Sequence, residues 1–137
     1  MFQYIDDLWI MNSSGIVIFK QTQSEMVDAS LFGGLMSAIN SFATKVANSS
    51  LDSIILQDYR YFVLKEGNVS FIASTKKDIK QEKAKEEIKK IVEIFFNEYD
   101  PQKISKWDGN IHFFDDFEKN LEKEFLGALK KFENELW

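Results

Sequence analysis

Residues Leu8–Phe19 read LWIMNSSGIVIF, two β-rich apolar runs on either side of Ser13-Ser14-Gly15. A short connection with Gly at its end suits a three-residue hairpin in which the glycine takes the left-handed position. Side chains alternate across a strand, so Trp9, Met11, Val17 and Phe19 are assigned to one face and Leu8, Ile10, Ile16 and Ile18 to the other. Both faces are apolar. A sheet that is greasy front and back must be covered on both sides, which calls for helical layers above and below it.

The rest of the chain supplies those layers. Leu31, Leu35, Ile39, Phe42 and Val46 recur at helical spacing, widened by Phe32, Met36, Ala43 and Ala47, and predict a helix capped by Asp28 or Ser30 and ended by Asn48-Ser49-Ser50. Three strands follow, over about Ser53–Gln57, Tyr59–Glu66 and Val69–Thr75, the last two joined by a Gly67-Asn68 turn. A second helix is expected over Lys76–Tyr99, broken by Asp100-Pro101. After a linker containing Trp107-Asp108-Gly109-Asn110, a last helix covers about Phe113–Glu135. The order is β-β-α-β-β-β-α-α. It predicts an α+β fold: one five-stranded antiparallel sheet between helices in three α/β/α layers, with the first helix on one face and the last two on the other. Residues 1–137 are read as a single domain.

Composition narrows the function. There is no cysteine and only one histidine among 137 residues, which excludes disulfides, thiol nucleophiles and His-rich metal sites. A net charge of −5 argues against a nucleic-acid partner. No apolar run approaches a membrane span, and no secretory or lipidation signal is read, so a cytoplasmic protein is expected.

The strand and helix patterns at Leu8–Phe19, Ser30–Val46 (SLFGGLMSAINSFATKV) and Ser53–Ser74 (SIILQDYRYFVLKEGNVSFIAS), with the two C-terminal helices, resemble the longin domain of the roadblock/longin group. Roadblock domains put a helix before the first strand, whereas strand residues here start by Tyr4, so the longin pattern fits better. The resemblance implies a stand-alone, non-enzymatic interaction platform in vesicle traffic. It implies a homo- or heterodimer, with a small Ras-like GTPase or another longin/roadblock subunit as partner and no cofactor. A PAS- or profilin-like small-molecule sensor is the alternative, with a cavity between sheet and helix lined by Trp9, Phe42 and Phe71.

Within the first helix, Gly33, Gly34, Ser37, Asn40, Ser41, Thr44 and Lys45 lie opposite the apolar stripe. Only one of these seven is charged, although solvent-facing helix surfaces usually carry Lys and Glu. Two adjacent glycines cost roughly 1 kcal/mol each relative to alanine. Either this small, neutral face docks a protein partner, or the glycines pack under another part of the same chain. The two edges of the open sheet are the rival partner surface.

Other constellations carry less. The Lys76–Lys90 run offers a peripheral contact for an anionic membrane surface or an acidic partner, but it is interleaved with Asp78, Glu82, Glu86 and Glu87 and reads first as a solvated helix face. His112 with Asp108, Asp115 and Asp116 suggests a metal, but acids in a first helical turn are explained by the helix dipole. Asp6 and Asp7 are adjacent in a strand and point to opposite faces. Ser13-Ser14-Gly15 lacks the strand–turn–helix setting of a nucleophile elbow, and Gly33-Gly34 fits no phosphate-binding loop. Phe132, Leu136 and Trp137 form a candidate apolar tip.

Overall fold

A computed structural model describes residues 2–22, 29–47, 53–55 and 58–136. Strands β1 (Asp7–Met11), β2 (Val17–Gln21), β3 (Ser53–Ile55), β4 (Tyr59–Glu66) and β5 (Val69–Lys76) form one antiparallel sheet in the order β2-β1-β5-β4-β3. Helix α1 (Ala29–Ala47) belongs to one face. Helices α2 (Gln81–Glu98), α3 (Pro101–Ser105) and α4 (Asp115–Leu136) belong to the other. This is the α+β arrangement in three layers that the apolar strand faces required.

The register makes the two faces explicit. Ile10 pairs with Phe71, which pairs with Leu64, and this row faces α2 and α4. Trp9 pairs with Ile72, which pairs with Val63, and this row faces α1. On the α2/α4 face, Ala84, Ile88, Ile91, Val92 and Phe95 come off α2, and Phe117, Leu121 and Phe125 off α4, at the three-to-four-residue spacing that puts them on one side of each helix. Phe95 is the hub, with the rings of Phe71, Phe96, Tyr99 and Phe117 between 5.0 and 5.4 Å from its own. Edge-to-face packing of this kind adds about 0.5–1.5 kcal/mol per pair beyond the area it buries.

Three details depart from the sequence reading. A bulge lies between Ile10 and Met11, where the partner jumps from Phe19 to Val17. One extra residue in β2 breaks the alternation. Val17 therefore joins the α1 side, while Phe19 goes to the opposite side, 4.9 Å from the Phe117 ring. Ile16 is left exposed in the turn. Second, α2 starts at Gln81, because Lys76 still belongs to β5 and a turn follows it. Third, the expected linker carries structure. Asp100 caps α3 by accepting a hydrogen bond from the Gln102 amide at 2.9 Å, with Pro101 in the first turn, where its missing N–H costs nothing. A 3₁₀ turn over Ile111–Phe114 then leads into α4. The expected cap at Asp28, the helix end at Asn48-Ser49-Ser50 and the far end of β3 lie outside the described residues.

Candidate functional site in the α1 layer

The rotation of α1 about its own axis is set by one close approach. A Cβ added to Gly33 would lie 2.2 Å from the carbonyl oxygen of Gly15, and one added to Gly15 would lie 2.3 Å from Ser37 Oγ. Gly15 has φ +81°, the left-handed conformation that closes the β1–β2 turn, and Asn12 Oδ1 braces that turn by accepting from the amides of Ser14 and Ile16. Only glycine at position 33 lets the helix seat against this turn.

With Gly33 pointing inward, the helical repeat of about 100° per residue carries Phe42 about 180° away, with Leu35 and Val46 close beside it. These three are 67%, 58% and 69% exposed. The sheet-facing residues are Gly33 and Met36, which are buried, and Ser37, Ile39, Asn40 and Ala43, which are half-buried. Here the structure corrects the sequence reading. The expected inward stripe through Leu35, Phe42 and Val46 faces out, and much of the small neutral face turns toward the body of the protein. Of the candidate residues, Gly33 packs under the β1–β2 turn of its own chain. Ser37, Asn40 and Ser41 line a cleft. Gly34 is exposed with open space beside it, and Thr44 is exposed with its hydroxyl donating to the Asn40 carbonyl at 2.9 Å. The signal that could have found this was the steric demand of the glycine, which outranked the apolar period.

The cleft has a volume of about 350 Å³. Met11, Val63 and Ile72 lie on the sheet side, Met36, Ser37, Asn40 and Ser41 come from α1, and Lys65–Ser70 come from the Gly67-Asn68 turn and the strand ends that flank it. It exists because small side chains on the inner side of α1 cannot fill the space above β1, β5 and β4. The cavity expected behind Trp9, Phe42 and Phe71 is not formed. Trp9 packs beside Tyr61 on the α1 face, Phe71 is buried on the opposite face, and Phe42 points outward. Beside Trp9, burial first, and then the charge of Asp7 and the neighbouring Tyr59, push the Tyr61 phenol above its ordinary range.

At the sheet edge, β3 bonds only to β4, so its outer side is unpaired by any described strand. Ile54 packs into the small cluster with Met36 and Ile39, while Ile55 and Tyr59 are exposed.

The remaining candidates resolve as local structure. His112 Nδ1 and Asp115 Oδ2 are 2.9 Å apart with both side chains largely exposed, and among the described residues no group of three His, Asp or Glu could hold a metal ion. Within the lysine run, Glu87 turns inward and its carboxylate accepts from the amides of Gln3, Tyr4 and Ile5 at 3.1, 3.0 and 2.9 Å. It straps the N-terminal segment onto α2, a role the charge pattern concealed. Among the described residues, no helix is long and apolar enough to cross a membrane. The Phe132, Leu136 and Trp137 side chains lie outside the described residues.

No family model and no curated protein matches the sequence. Among solved structures, the chain is similar to MglB of Myxococcus xanthus at 13% identity, over 68% of this chain and 85% of that one, with a TM-score of 0.49. A Roadblock/LC7 domain from Streptomyces avermitilis matches at 12% identity, over 69% and 88%, with a TM-score of 0.47. The gliding protein MglB of Thermus thermophilus matches at 14% identity, over 63% and 71%, with a TM-score of 0.43.

Proposed function

We propose that this protein is a non-enzymatic, longin-type interaction module that pairs with a second copy of itself through the outer stripe of α1 and the β3 edge. The observation that carries the reading is the outward exposure of Leu35, Phe42 and Val46 on one side of one helix. Scattered exposed apolar residues are ordinary, but three large ones aligned on one helix face favour an interaction surface, and the open β3 edge offers a second. A second copy satisfies both features together. An antiparallel edge is self-complementary about a twofold axis, and pairing two β3 edges places both α1 helices on the same side of the extended sheet. The longin resemblance supplies the further partner class, a small Ras-like GTPase or another longin/roadblock subunit, and with it a regulatory or scaffolding role in a membrane-trafficking-type complex.

Light scattering on the purified chain tests the pairing. The expected mass is twice 16.0 kDa. The double substitution Leu35→Glu/Phe42→Glu should return the mass to 16.0 kDa with an unchanged far-UV circular dichroism spectrum. A wild-type chain that stays at the monomer mass up to about 100 μM rejects the pairing.

A further inference from the structure

The lysine-rich segment Lys76–Lys90 is a charge pattern that neither the fold nor the pairing through α1 uses. It holds seven lysines and four carboxylates, while the rest of the chain holds ten basic and eighteen acidic residues. A protein of net charge −5 therefore carries a cationic region on an anionic body. The structure raises the contrast. Glu87 is withdrawn from the surface to hold the amides of Gln3, Tyr4 and Ile5, which leaves Asp78, Glu82 and Glu86 as the outward carboxylates of the segment. Lys76, Lys77, Lys80, Lys83, Lys89 and Lys90 are all exposed. Helix formation does not explain their placement. The start of a helix is its positive end, where acids are favoured, and lysines are favoured at the other end. Helix α2 does the reverse: Lys80 is its N-cap and makes no side-chain cap bond, Lys83 lies in its first turn, and its last turn holds no basic residue.

The same end of the sheet adds exposed apolar side chains. Tyr59 pairs with Lys76 across β4 and β5, and the Lys77 amide donates to the Asp58 carbonyl at 3.1 Å. Ile55 pairs with Arg60 beside them, and both Ile55 and Tyr59 are exposed. Lysines next to exposed tyrosine and isoleucine suit the boundary of a bilayer, where lysine is drawn to anionic headgroups and tyrosine settles at headgroup level. A protein partner suits this face less well. Lysine is depleted from protein interfaces, and arginine, the usual charged anchor, occurs once in the chain, half-buried at Arg60. We infer that the N-terminal half of α2, with the turn that leads into it from β5, is a docking face for an anionic membrane surface. In the proposed dimer both α2 helices lie on the side of the sheet away from α1, but the face itself rests on charge placement and not on that pairing.

Co-sedimentation of the full chain with vesicles tests this. Pure phosphatidylcholine vesicles are compared with vesicles containing about 30% phosphatidylserine, at about 0.1 M salt and at about 0.5 M salt, where screening is stronger. The chain should sediment only with the anionic vesicles and only at the lower salt. Lys77→Glu/Lys83→Glu should weaken that binding by about tenfold or more and leave the melting temperature unchanged or raised, because acids suit the start of α2. Lys103→Glu/Lys106→Glu, at exposed positions beyond the far end of α2, makes the same change in net charge. At roughly 27 Å from the face, well past a screening length of about 10 Å, that pair should weaken binding by less than about twofold. Equal losses from the two pairs overturn the assignment, since net charge alone would then explain adsorption. Failure to bind the anionic vesicles at the lower salt overturns it too, and retention on immobilised polyglutamate in that case assigns the face to an acidic protein instead. The readout is vesicle binding and not mass, so failure here leaves the pairing reading intact, and loss of pairing leaves this one intact.

Discussion

The two faces of the sheet are built from the same five strands and finished in opposite ways. Against α2 and α4, the aromatic core is closed: Phe71, Phe95, Phe114 and Phe117 are fully or almost fully buried, and their rings interlock. Against α1, the buried cluster among the described residues is Trp9, Met11, Met36, Val63 and Ile72, and beside it lies the cleft. The difference teaches where stability and recognition reside. A face that is densely packed has no free surface to offer. A face covered by a helix with glycine and serine beneath it gives up packing energy and keeps both a cavity and an exposed apolar stripe.

Truncation on each face gives the largest expected contrast. Phe95→Ala should cost about 3–5 kcal/mol, because it removes the ring that the others pack around. Met36→Ala, beside a space that already exists, should lie near the lower bound of about 2 kcal/mol. Urea unfolding of the two variants measures this, and equal losses would break the comparison. Next, Glu87→Ala leaves three amides without their shared acceptor and should cost about 2–3 kcal/mol. Hydrogen exchange should accelerate at Gln3, Tyr4 and Ile5, with little change in α1.

The glycine pair sharpens the same contrast within one helix. Gly33→Ala forces a Cβ into the Gly15 carbonyl and should destabilise by about 1–3 kcal/mol. Gly34→Ala meets open space and should stabilise by up to about 1 kcal/mol. Opposite signs in thermal melts are the result to look for, since both glycines cost the same in an isolated helix. The smallest effect is a pH dependence on the packed face. Burial first, then the charges of Glu98 and Asp116, raise the Tyr99 phenol well above its ordinary 10.0. The folded state therefore keeps a proton that the unfolded chain releases above pH 10, so this contribution is present below that pH and lost as pH rises past it. Tyr99→Phe should flatten the alkaline fall in stability, measured as unfolding midpoint between neutral and alkaline buffer.

How much was legible in the sequence follows from which forces are local. The alternation in Leu8–Ile10 and Tyr59–Thr75 and the spacing of Ala84, Ile88, Ile91 and Phe95 repeat at the period of the element they form, so strands, helices and three layers could be read directly. The capping at Asp100-Pro101 is likewise written in two adjacent residues, although the short helix after it was read as a linker. Parity failed at Phe19 because a bulge is decided by how two strands meet. The inward turn of Glu87 was hidden because its partners are the amides of Gln3–Ile5, more than eighty positions away in the chain.

Sequence by itself determined that the sheet had to be covered on both sides, since apolar side chains on alternating positions leave neither face soluble. It also singled out Gly33, Gly34, Ser37, Asn40, Ser41, Thr44 and Lys45 as an unusual helical face. Only the tertiary structure decided which way that face points. An apolar period defines a stripe on a helix, but a stripe is turned inward only if the backbone can approach there. At Gly15 the approach is close enough that nothing larger than a hydrogen fits, so sterics overrode hydrophobicity and set Leu35, Phe42 and Val46 facing water.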